Sequence, residues 1–227
     1  MARPAPFSFS SLDTFNNCPK QYYHKYVLRD VKEERSIQMI EGEDVHKVFE
    51  NYINDPAANP LPEHLIHHQP KLDAMLARDG IFWCEERVGL DKRLQPCRWD
   101  DPDILWRGII DYRLVHRTDN SAMLVDYKTG KPHQKWVQLG MFAIHTFAAF
   151  PKVNLINAQF YWTKTMETTK KVWSRADIES IWALFTGDLR QYRDAWKNDI
   201  WQERPSGLCR GWCPVKTCQH WQPKRER

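Results

Sequence analysis

The 227-residue chain contains no apolar run approaching the roughly 20 residues that a membrane-spanning helix needs, so no helical span is expected. The opening residues, MARPAPFSFSS, lack the apolar stretch of a secretory signal, and the expected compartment is the cytoplasm. No Walker-type G-x-x-x-x-G-K-[ST] loop occurs, so any ATP-driven work would have to come from a partner. An excess of charge of one sign is also lacking. A net charge of +4 permits nucleic-acid binding through a local patch but does not argue for it. The basic end, PKRER, reads as a solvated terminus. No internal repeat or low-complexity segment is present. Six cysteines in a reducing compartment do not suggest a disulfide framework, but Cys209, Cys213 and Cys218 crowd together near the end and mark a candidate metal or cluster site. Eleven tryptophans are many for this length; their expected place is the core or its rim, with base stacking as the other use.

The pattern along the chain changes twice. Ser10 is a candidate cap for a short helix carrying Leu12 and Phe15, with Asp13 completing a capping box, and Pro19 suits the first position of a second helix that presents Tyr22, Tyr23 and Tyr26. Val45, Val48, Phe49, Tyr52 and Ile53 follow helical spacing within a segment from about Ile37 to Ile53, and a further helix is expected over Glu63–Ala77. Phe82–Leu90, Ile104–His116 and Ala122–Tyr127 then read as strands. A helix over about Gln134–Ala149, a hairpin of Asn157–Thr163 with Thr168–Trp173, and a long helix over Asp177–Ile200 complete the order. This is an α/β chain with a mixed central sheet flanked by helices. It is expected to form a single domain with N-terminal helices in 1–80, a sheet core in 81–173, and a C-terminal helix and cysteine-rich tail in 174–227.

The chemistry concentrates in WRGIIDYRLV and MLVDYKTGK. Strand side chains alternate, so Asp126 and Lys128 share a face while Tyr127 points away, and a hairpin brings Asp111 to the same spot. Two carboxylates and an ammonium at one sheet edge carry a large desolvation cost without a partner. Mg²⁺ or Mn²⁺ on Asp111, Asp126 and the Tyr127 carbonyl supplies one, polarising a phosphodiester and acidifying an attacking water, with Lys128 orienting that water or stabilising negative charge. A salt-bridged strand end is the plain alternative for these three residues alone.

Gly108-Ile109-Ile110-Asp111 followed by Asp126-Tyr127-Lys128-Thr129-Gly130 resembles the catalytic hairpin of RecB-like PD-(D/E)xK nucleases. Further landmarks follow in the same order. SFSSLDTFNNCPKQYYHKYV is similar to the N-terminal signature of that family, Gly42–His46 to its metal-binding histidine helix, and the segment from Gln138 to the helix whose glutamine sits near the lysine and the DNA. The resemblance spans residues 8–218. It implies a restriction-endonuclease-like core and a metal-dependent deoxyribonuclease, with an exonuclease favoured over an endonuclease. His46 would join the metal's oxygen ligands, and Glu50 would be either its hydrogen-bond partner or solvated. Glu85 and Glu86 occupy the place of the family's first-strand carboxylate; they point to opposite faces, and Glu85 is the preferred member. Phe142 stands where the family carries a tyrosine. The implied partners are DNA and a helicase, recombinase or CRISPR adaptation protein, in a bacterial or phage-infected cell. The alternative is a non-catalytic DNA-binding or recombination-assembly subunit on the same fold, against which the intact Asp111, Asp126 and Lys128 count.

Several relatives bind a 4Fe–4S cluster through one N-terminal and three C-terminal cysteines. Cys18, Cys209, Cys213 and Cys218 match that arrangement, although the three C-terminal residues are separated by three and then four residues instead of two and then five. Four thiolates suit a cluster or tetrahedral Zn²⁺. Cys84 and Cys97 lie outside the pattern and read as ordinary thiols.

Overall fold

Ser8, not Ser10, starts the first helix, α1 (Phe9–Asn17): Ser8 Oγ accepts from the Ser11 N–H and Ser11 Oγ accepts from the Ser8 N–H. The reciprocal pair satisfies two amides that the helix leaves open, and the Asp13 capping box expected from sequence is not the one used. The computed structural model describes residues 4–32, 35–132 and 135–224. The expected helix start at Gln134 and the last three residues of the basic terminus lie outside them.

The chain divides into two compact units, Met1–Arg35 with Phe185–Arg227, and Ser36–Leu184. In the first, α2 (Pro19–Tyr22) begins with proline at a position where no amide is needed, and continues as a π-helical turn over Tyr23–Leu28. Phe15 and Tyr22 each meet Tyr192 edge-on at 5.4 Å, and Trp201 stacks on Tyr22 at 5.7 Å and on Tyr23 at 5.2 Å. Tyr192 belongs to α6 (Ile178–Asn198), the long helix expected from sequence. The Tyr22 and Tyr192 hydroxyls lie 2.8 Å apart, so the buried aromatic cluster carries its own hydrogen bond.

The second unit holds a six-stranded sheet in the order β2-β1-β3-β4-β5-β6, from β1 (Gly80–Asp91), β2 (Pro96–Cys97), β3 (Ile104–His116), β4 (Ser121–Lys128), β5 (Leu155–Trp162) and β6 (Glu167–Ser174). Only β4 and β5 run parallel, as their crossover through α5 (Val137–Ala149) requires, and the sheet is therefore mixed. α3 (Ile37–Asn54) and α4 (Gln69–Leu76) cover one face. The segment expected as one helix over Glu63–Ala77 is a 3₁₀ turn over Glu63–His68 that leads into α4, with Pro70 in the first turn of that helix. Phe49, Tyr52 and Ile53 of α3 pack with Tyr112, Leu114, Met123, Val125 and Tyr127 of the sheet. Each such side chain contributes roughly 1.5–3 kcal/mol on full burial.

α5 lies on the opposite face and is buried from Leu139 to Phe147. Its Phe142 ring lies 6.1 Å from Trp106, and a Cβ on Gly108 would sit 2.8 Å from Phe142 and 2.9 Å from Trp106. The glycine three residues before Asp111 is thus a packing requirement that lets α5 close on the sheet.

Candidate active site

Trp83 and Glu86 of β1 both reach Arg113: the guanidinium stacks over the Trp83 ring at 5.0 Å and pairs with Glu86. Residues three apart on an unbroken strand point to opposite faces, so the pleat must break between them. It breaks at Glu85, whose φ of 47° is a left-handed conformation that side chains with a Cβ avoid. The neighbouring strand changes face at the same level. Gly108 packs against Phe142 of α5, whereas Tyr112 joins the α3 cluster, although both positions are even-numbered. Cys84↔Tyr112 and Glu86↔Ile110 pair across the strands, and the Glu85/Asp111 step between them does not.

This irregular step is where the candidate ligands meet. His46 from α3, Glu85 from β1 and Asp111 from β3 each offer an atom within 4.8 Å of the other two. His46 Nδ1 is 3.5 Å from Asp111 Oδ2 and 3.6 Å from Glu85 Oε1, while its Nε2 lies 3.1 Å from the Tyr127 carbonyl oxygen. The Tyr127 N–H donates to Asp111 Oδ2 at 2.7 Å, fixing that carboxylate to the end of β4. Asp126 and Lys128 share a face as alternation requires, with Lys128 Nζ 2.5 Å from Asp126 Oδ2 and donating to Gln138 Oε1 at 2.9 Å. The Tyr127 ring turns the other way, edge-on to Phe49 at 5.1 Å.

His46, Glu85, Asp111, Asp126, Lys128 and Gln138, with the Tyr127 carbonyl, are thus all brought to one end of the central strands. Glu86 is directed to Arg113 instead, and Glu50 pairs with Lys47 at 2.8 Å rather than with His46. Among the described residues, Glu85 Oε1 and Asp126 Oδ1 are buried without a hydrogen-bond partner. Orphaned anionic oxygens beside an imidazole and a carbonyl fit a hard divalent cation.

The family model of the PD-(D/E)XK nuclease superfamily matches residues 6–218. This chain belongs to the PD-(D/E)XK nuclease superfamily. Among solved structures, the chain is similar to a protein from Eubacterium rectale named "Putative exonuclease", with a TM-score of 0.54 at 10% identity, covering 98% of this chain and 90% of that one. That similarity is one of fold. A structure named SSO0001 aligns with a TM-score of 0.42 at 10% identity over 96% of this chain and 88% of that one. No curated protein matches the sequence.

The site of this superfamily member is electrostatically divided. Burial raises the Asp111 pKa, the nearby Asp126 charge raises it further, and His46 and Lys128 only partly offset this. Burial would lower the His46 pKa, but the Glu85 contact and the charges of Asp111 and Asp126 outweigh it and bring it to about 9. Lys128 is also raised despite burial, because Asp126 and Asp111 hold its proton. Protonated His46 supplies positive charge beside these carboxylates. Its contribution to stability is fully present below pH about 6.5 and is lost as pH rises through about 9. A metal ligand must be a neutral imidazole, so Mn²⁺ uptake through His46 near pH 7 would expel a proton. Mn²⁺ affinity should therefore rise about tenfold per pH unit for each proton released, up to pH about 9. Calorimetry in buffers of different ionisation enthalpy measures that release; a proton count of zero at pH 7 would rule out His46 as a ligand.

Sequence reasoning did not find the Glu86–Arg113–His145 network behind the site, where Arg113 Nη1 lies 3.2 Å from His145 Nδ1. An arginine inside an apolar strand carries no signal of which partners the fold supplies.

Proposed function

We propose that the protein is a divalent-metal-dependent DNA exonuclease of the RecB-like branch of the superfamily. The observation that carries this reading is the convergence of His46, Glu85 and Asp111 beside an ammonium held by Asp126 and Gln138. Mg²⁺ or Mn²⁺ would be held by His46, Asp111, Asp126 and the Tyr127 carbonyl, with Glu85 adding a further oxygen. Such an ion supplies Lewis-acid charge and lowers the pKa of the attacking water. Gln138 and Asp126 aim Lys128 Nζ, which stays charged and therefore acts as a donor rather than a base, stabilising negative charge on the phosphate oxygens. The histidine and the four-cysteine pattern favour exonuclease over endonuclease action, in keeping with the name of the Eubacterium rectale protein of similar fold. End-labelled linear DNA and covalently closed circular DNA, each with Mn²⁺, test this. Loss of the linear substrate with the circle intact is the expected result; nicking of the circle at a comparable rate overturns the exonuclease assignment, and no cleavage of either overturns the nuclease.

The same reading includes a 4Fe–4S cluster. Cys18, Cys209, Cys213 and Cys218 line one pocket together with Lys20, Glu203 and Val215. Among the described residues, no three of these sulfurs lie within 4.8 Å of one another. Four thiolates suit a 4Fe–4S cluster or tetrahedral Zn²⁺. The cluster would join α1 and α2 to the segment after α6, which Lys20–Glu203 and the 2.8 Å bond from Arg204 Nη1 to the Asn16 carbonyl already link. Anaerobically purified protein should be brown, with broad absorption near roughly 400 nm and about four irons per chain. Replacing any one of the four by Ser should bleach it and lower the Tm. Cys84→Ser should leave the colour alone, since burial pushes that thiol up to about 12 within the sheet unit. Colourless protein with one zinc per chain would replace the cluster by zinc.

A further inference from the structure

Several surface cations of the sheet unit pair with a carboxylate: Lys47 with Glu50, Lys92 with Asp103, Arg98 with Asp100 and Arg117 with Asp79. Arg87 and Arg107 are different. Among the described residues neither has a carboxylate partner, and both guanidiniums lie over the indole of Trp99, at 5.7 Å and 5.1 Å. They come from adjacent strands, Arg87 opposite Ile109 and Arg107 opposite Gly89. The break at Glu85/Asp111 puts them where they are. Beyond it, Trp106 and Gly108 face α5, so the odd-numbered Arg107 and Ile109 face the other way. Without the break the odd positions would face α5, and the arginines would be buried under it. Arg87 is exposed, Arg107 is half-buried, and Ile109 is 39% exposed. At about 3.3 Å per residue, Arg87 lies about 7 Å from Glu85 along β1 and Arg107 about 13 Å from Asp111 along β3. That span corresponds to a few nucleotides of a bound strand.

We propose that Arg87 and Arg107, braced on Trp99, hold the phosphodiester backbone of the DNA strand whose scissile phosphate lies at the His46–Glu85–Asp111 group; this rests on the nuclease reading. Guanidinium is weakly hydrated and matches phosphate with two parallel donors. Stacking on Trp99 orders two long side chains before the ligand arrives, which lowers the entropic cost of binding. Among the described residues, no carboxylate is ion-paired with either guanidinium in competition with the phosphate.

Fluorescence anisotropy of a labelled single-stranded oligonucleotide, without divalent ion, tests the proposal. Arg87→Gln and Arg107→Gln should each weaken binding about three- to tenfold, and each should reduce the slope of log K against log salt by about 0.7. Arg107→Lys keeps the charge and should restore the slope. Lys92→Gln, which removes a cation already paired with Asp103, should change neither quantity. Hydrolysis of bis(p-nitrophenyl) phosphate, a diester with no flanking nucleotides, measures the candidate metal group apart from the arginine track. Unchanged affinity and slope in the double variant would overturn the proposal. If wild type binds with the expected slopes yet cuts neither DNA nor the small diester, the arginine track stands and the nuclease reading fails.

Discussion

Lys128→Ala is expected to slow single-turnover DNA cleavage at saturating Mn²⁺ by on the order of a hundred- to a thousandfold, with little change in DNA binding. Lys128 is a charged donor fixed from two sides by Asp126 Oδ2 at 2.5 Å and Gln138 Oε1 at 2.9 Å. A preorganised donor of this kind contributes about 3–4 kcal/mol to the transition state, because it is already aimed where charge develops. The same substitution has a second consequence. Asp126 is 1% exposed and would lose its ion pair with Lys128, so the metal-free variant should be less stable by about 1–3 kcal/mol. Mn²⁺ should restore most of that loss by supplying the missing positive charge. Thermal melts with and without Mn²⁺ separate the two effects; cleavage at the wild-type rate would remove Lys128 from the mechanism.

Asp111→Asn should abolish cleavage to below a thousandth of the wild-type rate and yet stabilise the metal-free protein. Asn retains an oxygen to accept from the Tyr127 N–H, now bonded to Asp111 Oδ2 at 2.7 Å, so the end of β4 keeps its anchor. What disappears is a buried negative charge opposed by Asp126 and Glu85. The folded-state pKa of Asp111 is raised, so its ionised form costs stability at neutral and higher pH, and the cost fades as the pH falls and the carboxyl takes up its proton. A gain on the order of 1 kcal/mol at pH 8 corresponds to a Tm increase of roughly 2–4 °C for a chain of this size, and it should vanish near pH 4. Mn²⁺ should stabilise wild type but not the variant, because an anionic ligand has gone. A lower metal-free Tm for Asp111→Asn at pH 8 would mean that Asp111 is a structural carboxylate rather than a strained ligand.

The strands were legible in sequence because their composition and turn signals are local. Ile104–His116 was read with the bounds it has, and Asp126 with Lys128 fell on one face because alternation on β4 is unbroken. The α3 helix was equally clear from its spacing, and the order of motifs along the chain indicated the PD-(D/E)XK superfamily that the match over residues 6–218 shows. Helix ends were less legible: Ser8 and Ser10 are equally good caps by type, and only the backbone path into α1 selects Ser8.

Tertiary structure alone decided the geometry of the irregular step. No feature of the sequence GIFWCEERVGLD announces that Glu85 takes φ of 47°, or that β3 changes face at the same level. That conformation is unfavourable for the residue itself, and on either side of it Trp83 and Glu86 are both held by Arg113, a side chain 27 positions beyond Glu86. The sequence by itself determined which residue types could bind a cation and on which elements they lie, because period and composition are local properties. Whether Glu85 or Glu86 faces His46, and which arginines are left without a carboxylate, depends on contacts between distant strands and exists only once the sheet is assembled.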